Sequence, residues 1–323
     1  MTNDPILVVD QLRMHLVMKN AVAKVVDGIS LVVHQGEALG IVGESGAGKS
    51  MLALSLIGLP PQPYGRIVGG SVTYRGVNLL DPAQARTVVG KKIGMVFENP
   101  GTALDMCYRV GTQITETIIA HEAVSKRAAK KRALELLRLV GIPDPESAYL
   151  SYPHQFSGGM QQRVMIAIAL SCEPDLLIAD NPTSALDVTI QAQILRLIEE
   201  LRVRLGLTVI WITHNLGIVA KLCDRVAIMY AGQIVEYGDS RTILKHGRHP
   251  YTEALAKVSP KIRGQGELVP IKGMPPSPMN LGAGCRFANR CPKVIDECRV
   301  GAIEMEEVES NRSVRCILSK RAE

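Results

Sequence analysis

Aromatic side chains are scarce. The 323 residues include one Trp, eight Tyr and three Phe, and none of these falls within residues 1–30. A core must therefore be built mainly of Val, Ile, Leu, Ala and Met. At 46% hydrophobic content there is enough for a large core or for two domains. Long apolar runs are also missing, for no stretch reaches the ~18 residues that would suggest a membrane span. The opening MTNDPILVVDQ lacks a basic segment followed by an apolar one, so it does not read as a secretory signal. The chain is expected to remain in the cytosol. Nor does one sign of charge dominate. A net charge of +6 could assist docking near acidic lipid but is too weak to argue for nucleic acid, and an ordinary solvated surface is the simpler reading. No internal repeat is present.

Cysteine is used unevenly. Cys107, Cys172 and Cys223 are scattered, whereas Cys285, Cys291, Cys298 and Cys316 cluster near the C-terminus. In a cytosolic chain such a cluster favours metal over disulfides. Four thiolates from one short segment make either a [4Fe–4S] site or a tetrahedral zinc site, and the spacings lack the paired CxxC knuckles common in zinc ribbons. Either would staple a tail too loop-rich to have much core.

Strand-like and helix-like segments alternate, which predicts an α/β fold with a largely parallel sheet. Glu37–Gly43 reads as a buried strand that enters a Gly-rich turn, followed by a helix from about Lys49 that stops before Pro60 and Pro61. Asp175–Asp180 and Thr208–His214 are apolar or β-branched, as central strands should be. Between them, Asp187–Leu205 has helical spacing at Ile190, Ile194, Leu197, Ile198 and Leu201. Arg225–Tyr230 and Gln233–Gly238 flank Ala231-Gly232 as a late hairpin. Residues 102–169 are rich in helix formers and read as a helical insertion, with Lys126–Arg132 a solvated helix face. From His246 onward Pro and Gly become frequent, so a boundary is expected there: residues 1–245 as one domain and 246–323 as an extension.

Gly43-Glu44-Ser45-Gly46-Ala47-Gly48-Lys49-Ser50 is a complete GxxxxGKS phosphate loop. Its glycines let backbone N–H groups wrap phosphates, and the helix that follows aims its positive end at them. Lys49 is expected to neutralise the β- and γ-phosphates, and the Ser50 hydroxyl to ligate Mg²⁺. Asp180 closes an apolar run, the expected place of the acid that steadies Mg²⁺ through water. Ser157-Gly158-Gly159, followed by Met160-Gln161, is a second anion-binding turn that opens a helix. One chain has no use for two phosphate clamps on one nucleotide unless two chains sandwich it head to tail.

The phosphate loop, the Ser-Gly-Gly turn, the acidic strand, Ser184-Ala185-Leu186-Asp187 and His214 occur in the order of ABC ATPase domains, and roughly residues 5–245 resemble that family. The resemblance implies a phosphate-loop ABC ATPase domain with a parallel-sheet core and a helical subdomain. Ser157, Gly158, Gly159, Met160 and Gln161 then match the signature that meets ATP on a partner subunit. Ser184–Asp187 matches the loop that crosses the dimer interface, and His214 the switch histidine at the γ-phosphate. Glu98 falls where a residue senses metal and phosphate and touches the permease. The tail narrows the resemblance. His249-Pro250-Tyr251, a Pro-rich stretch and Cys285-x5-Cys291-Pro292-x5-Cys298-x17-Cys316 are similar to the small, loop-rich extension of oligopeptide/dipeptide importer ATPases. It implies ATP and Mg²⁺, with a [4Fe–4S] cluster ranked above Zn²⁺. It also implies two permease subunits, a second ABC ATPase, an extracytoplasmic solute-binding protein and a place on the cytoplasmic face of the membrane.

Three positions depart from the family pattern. Asn181 replaces the Glu that polarises attacking water, Glu98 replaces Gln, and Asn215 replaces the Asp after the switch histidine. An amide cannot accept a proton as a carboxylate does, and a general base is worth roughly 10²–10⁴-fold in rate. Together they suggest an impaired site of this chain's own, beside a signature able to complete a partner's; tolerated drift with slower hydrolysis is the bland alternative. The aromatic that stacks on adenine is also absent from its usual region, leaving aliphatic contact. Two other readings compete: a soluble ABC ATPase acting outside transport, and a catalytically dead subunit that binds ATP to hold a complex together. The single cassette and the cysteine tail favour transport.

Overall fold

The opening strand carries its apolar residues irregularly, and the cause is visible in its pairing. A computed structural model describes residues 4–184, 186–258 and 270–319. In it Pro5–Met18 pairs antiparallel with Ala21–His34, with register shifts between Val9 and Leu12 and between Met14 and His15. Gln11 lies in one of these bulges with φ 46°. Each extra residue flips the side chains beyond it, so inward positions do not keep a period of two. Ile6, Leu7, Val9, Leu12 and Met14 are nevertheless buried.

The described residues fall into two compact units, residues 4–81 with 211–319, and residues 82–210. The first unit contains two groups of strands. One is the antiparallel sheet in the order Ala21–His34, Pro5–Met18, Gly65–Tyr74, Val77–Asn78. In the other, Ala38–Val42 pairs parallel with Arg225–Tyr230, which pairs antiparallel with Gln233–Asp239. The expected hairpin is formed: Ala231 and Gly232 have φ 45° and 85°, the two positive angles of a tight turn matched to strand twist. Helix Lys49–Leu56 follows the phosphate loop, and Leu216–Leu222, Ser240–Lys245 and Pro250–Lys257 come later.

The tail adds to the same strands. Arg312–Val314 pairs with Gln233–Asp239, and Glu306–Glu309 pairs with Arg312–Val314. One buried carboxylate organises this junction. Glu236 is 0% exposed and takes Arg312 Nη2 at 2.7 Å, together with the N–H groups of Arg248 and His249 at 3.0 Å. A buried charge is tolerable when paired and hydrogen-bonded in this way. Three of the few aromatic residues also meet here: Tyr230, Tyr251 and Phe287 lie with ring centroids 4.6 to 5.4 Å apart. Such pairs add about 0.5–1.5 kcal/mol each beyond area burial.

In the second unit Ile93–Val96 pairs parallel with the wholly buried strand Leu176–Asp180. The segment expected to be a helical insertion carries helices Val110–His121, Lys126–Leu139, Pro145–Leu150 and Gly158–Ala169. Ser125 caps the second of these, accepting from Ala128 N–H, and the basic run beyond it is largely exposed. Helix Val188–Leu205 buries Ile194, Ile198 and Leu201 as its spacing predicts and ends at Gly206 with φ 64°. Among the described residues no helix is long and apolar enough to cross a membrane.

Candidate functional site

The phosphate loop is held open by contacts that only glycine permits. A Cβ on Gly43 would lie 2.1 Å from Met229 O, and one on Gly48, where φ is +98°, would lie 2.1 Å from Val25 O. Gly232 N–H donates to Ala47 O at 2.9 Å, tying the loop to the hairpin turn. Lys49 is 7% exposed, and its Nζ donates to Gly43 O and Glu44 O at 2.9 Å each. The ammonium is thus held across the loop, and Ser50 is half-buried beside it. Helix Lys49–Leu56 has no acidic residue in its first turn, so its positive end keeps its pull on an anion. Ser45 and Gly46 are exposed at the rim. His214, directly after the buried strand Thr208–Thr213, is exposed in the same unit. Asn215 caps helix Leu216–Leu222 by accepting from Gly217 N–H at 2.9 Å, a task that Asp performs equally well.

The second unit gathers the remaining motif residues. Asp180 is 5% exposed at the end of its strand. Val96 pairs with Ala179, so the parallel register carries Glu98 and Asn181 off the same end of two adjacent strands. Glu98 is exposed, whereas Asn181 sits at φ 43° with a buried Oδ1 that has no hydrogen-bond partner among the described residues. That oxygen can accept a hydrogen bond but cannot hold a proton at neutral pH.

Ser157 caps helix Gly158–Ala169, its Oγ accepting from Met160 N–H at 3.4 Å, and Ser157 and Gly158 are exposed. Gln161 secures the turn by donating its side-chain amide to Pro153 O at 2.9 Å and Phe156 O at 3.3 Å. A Cβ on Gly159 would lie 2.7 Å from Ile190 Cγ2, and one on Gly158 3.5 Å from Leu186 Cδ2. The signature turn and the Ser184–Asp187 segment are therefore neighbours. Asp187 caps helix Val188–Leu205 through Thr189 and Ile190 N–H at 3.0 Å. Ser184 is exposed, and Ala185 lies outside the described residues.

The four tail cysteines converge on one cavity. All are free thiols and all line one cavity, together with His249 and Phe287. Among the described residues, however, no group of three or more His, Cys, Asp or Glu is disposed to hold a metal ion. The sulfurs come from separate turns and a strand end: Cys285 before Phe287, Cys291 after the 3-10 turn Ala288–Arg290, Cys298 within Asp296–Arg299, and Cys316 beyond strand Arg312–Val314. Burial pushes the Cys285 thiol up to about 11, with the neighbouring thiols adding to the effect, and burial raises Cys291 and Cys316 as well. The thiolate is the nucleophile. In the metal-free chain at pH 8, exposed Cys107 is therefore expected to be alkylated well before Cys285, of which only about one thiol in a thousand is ionised. Mass mapping of iodoacetamide-labelled peptides reads this, and Cys285 labelled as fast as Cys107 would refute it.

Three tail residues had no assigned role in sequence and gain one here. Burial drives His249 down to about 3, so its ring is neutral; it caps helix Pro250–Lys257 by accepting from Tyr251 N–H at Nδ1. Tyr251 and Arg290 reach Glu44 of the phosphate loop. The HPY triplet and the adjacency of Arg290 to Cys291 were the only signals in sequence.

Comparison with known proteins agrees with this geometry. Residues 26–184 match the family model described as ABC transporter, and residues 235–298 match that of the oligopeptide/dipeptide transporter C-terminal region. The dipeptide transport ATP-binding protein of Haemophilus influenzae is 46% identical over 96% of this chain and 94% of its own length. The oligopeptide transport ATP-binding protein AppD of Bacillus subtilis is 43% identical over 97% and 96%. Among solved structures, a dimeric ATP-binding cassette in a post-hydrolysis state with ADP and Pi aligns at TM-score 0.64 and 26% identity, covering 73% of this chain and 99% of that one. The chain belongs to the ABC transporter ATP-binding proteins, in the group that carries the oligopeptide/dipeptide transporter C-terminal region.

Proposed function

We propose that the chain is the ATP-binding subunit of an importer for peptides or related small solutes, working at the cytoplasmic face of the cell membrane. Its partners are two permease subunits, a second and non-identical ABC ATPase, and an external solute-binding protein. The observation that carries this reading is one chain bearing an intact phosphate loop, an exposed signature turn and an amide at the general-base position. In a head-to-tail pair the loop and Lys49 would hold ATP, with the Ser50 hydroxyl a ligand for Mg²⁺, while Ser157–Gly159 would close on the partner's γ-phosphate. Asn181 in place of a carboxylate slows this chain's own site by roughly 10²–10⁴-fold, so turnover falls to the partner's. The relatives' names support the peptide class. Co-purification with membrane subunits tests the assignment; a chain that associates with none of them in mild detergent belongs to the soluble class instead.

The four-cysteine cavity is the seat we assign to a [4Fe–4S] cluster, with Zn²⁺ the alternative. One feature fits the cluster better. His249 accepts at Nδ1, which leaves the hydrogen on Nε2, and that buried atom lacks a partner among the described residues. It is thus a donor beside the thiols, suited to a sulfide and unsuited to ligating a metal. When bound, the cluster would staple the tail. The anaerobically purified protein is expected to be brown and to contain about four irons per chain, with colour lost in Cys291→Ser. Stoichiometric zinc with negligible iron would reject the cluster.

A further inference from the structure

Glu44, the second residue of the phosphate loop, is held from three directions. Its carbonyl accepts Lys49 Nζ at 2.9 Å. Its N–H donates to Tyr251 Oη, also at 2.9 Å. Its carboxylate receives the fork of Arg290, Nη1 to Oε2 at 2.7 Å and Nη2 to Oε1 at 3.1 Å. Two of these three grips come from the C-terminal extension, across more than two hundred residues of chain.

Arg290 is built into place. Its side chain is 5% exposed, and its other contacts go to Tyr230 Oη at 3.2 Å, Lys272 O at 3.0 Å and Ile271 O at 3.3 Å. The guanidinium lies 5.8 and 5.9 Å from the centroids of Tyr230 and Phe287. A planar fork seated this way sets the direction of the carboxylate that it grips, which a lysine ammonium does not do. A tail that needed only a staple could have found it on any surface of the domain. This staple is fixed to the one loop whose backbone must present its N–H groups to phosphate.

We propose that Arg290 is a positioning residue of this chain's own nucleotide site. Acting through Glu44, with Tyr251 beside it, it holds the phosphate loop in the form that receives the triphosphate, so the extension sets the affinity for ATP. The inference rests on the reading of Gly43–Ser50 as the ATP site.

Calorimetric titration of the purified full-length chain with ATP and Mg²⁺ tests it, using Arg290→Ala, Arg290→Lys, Glu44→Gln, the double variant Arg290→Ala/Glu44→Gln, and Lys49→Ala as control. Arg290→Ala and Glu44→Gln should each raise the Kd about tenfold, as expected for one bidentate charge-assisted contact. Arg290→Lys should fall between Arg290→Ala and the parent. The double variant should be no worse than the weaker-binding single, because both break one link. Kd values within twofold of the parent in both singles, or losses that multiply in the double variant, overturn the proposal. Should Arg290→Ala lose its cooperative thermal transition, Glu44→Gln decides alone, since it leaves every tail residue in place. Unchanged affinity in Lys49→Ala would instead indict the reading of the site.

Discussion

Replacing Lys49 by Ala is expected to weaken ATP binding by roughly 100-fold or more. The ammonium is the cation that the loop itself supplies, and it is pre-placed: largely buried and held by Gly43 O and Glu44 O. Charge-assisted hydrogen bonds contribute about 1.5–3 kcal/mol each, and a triphosphate gives this group at least two oxygens to meet. Two such contacts at the low end amount to ~3 kcal/mol, or about 100-fold. The backbone N–H groups of the loop remain, so some binding should survive at millimolar nucleotide. Equilibrium titration with ATP reads the result, and an affinity within threefold of the parent would mean that the nucleotide binds elsewhere.

Ser157→Arg should have an effect of similar size, though not on this chain's own affinity for ATP. Ser157 and Gly158 are exposed at the start of a twelve-residue helix with no acid in its first turn. The substitution removes the cap on Met160 N–H and puts a long cation where a partner's γ-phosphate must sit. Loss of a cap alone costs about 1 kcal/mol, which a folded domain tolerates. The steric block is what stops turnover. In the assembled complex both ATP hydrolysis and solute uptake are expected to fall by roughly 100-fold or more, as when a donor to the reacting phosphate is lost. ATP binding by the variant chain alone should stay near normal. Full hydrolysis by the assembled variant would remove the signature from the account.

Much of this was legible in sequence because the signals are local. The phosphate loop and the Ala231-Gly232 turn each depend on a few consecutive residues whose backbone demands are specific. The first strand was not legible, because its bulges near Gln11 break the period on which the reading depends. The pairing of Arg312–Val314 with Gln233–Asp239 joins pieces far apart in the chain, and the three residues of the later strand are too few to announce themselves. The grip of Arg290 on Glu44 joins residues 246 apart, and the place of Arg290 beside Cys291 said nothing of Glu44. The cysteines announced themselves by clustering, yet their spacing could not foretell that they would line one cavity with His249 and Phe287.

The central claim is an asymmetry: this chain holds ATP at its own phosphate loop, while the site completed by its signature performs most of the hydrolysis. The residue that decides it is Asn181, whose buried amide oxygen can orient water but cannot take its proton. The most direct measurement is the steady-state ATPase rate of the assembled complex in which the partner ATPase has its general-base glutamate changed to Gln, with this chain left untouched. The account predicts a fall to about one hundredth of the normal rate or below, with ATP still bound to this chain. A complex that keeps hydrolysing near the normal rate would contradict it, and Asn181 would then have to stand in a competent catalytic site.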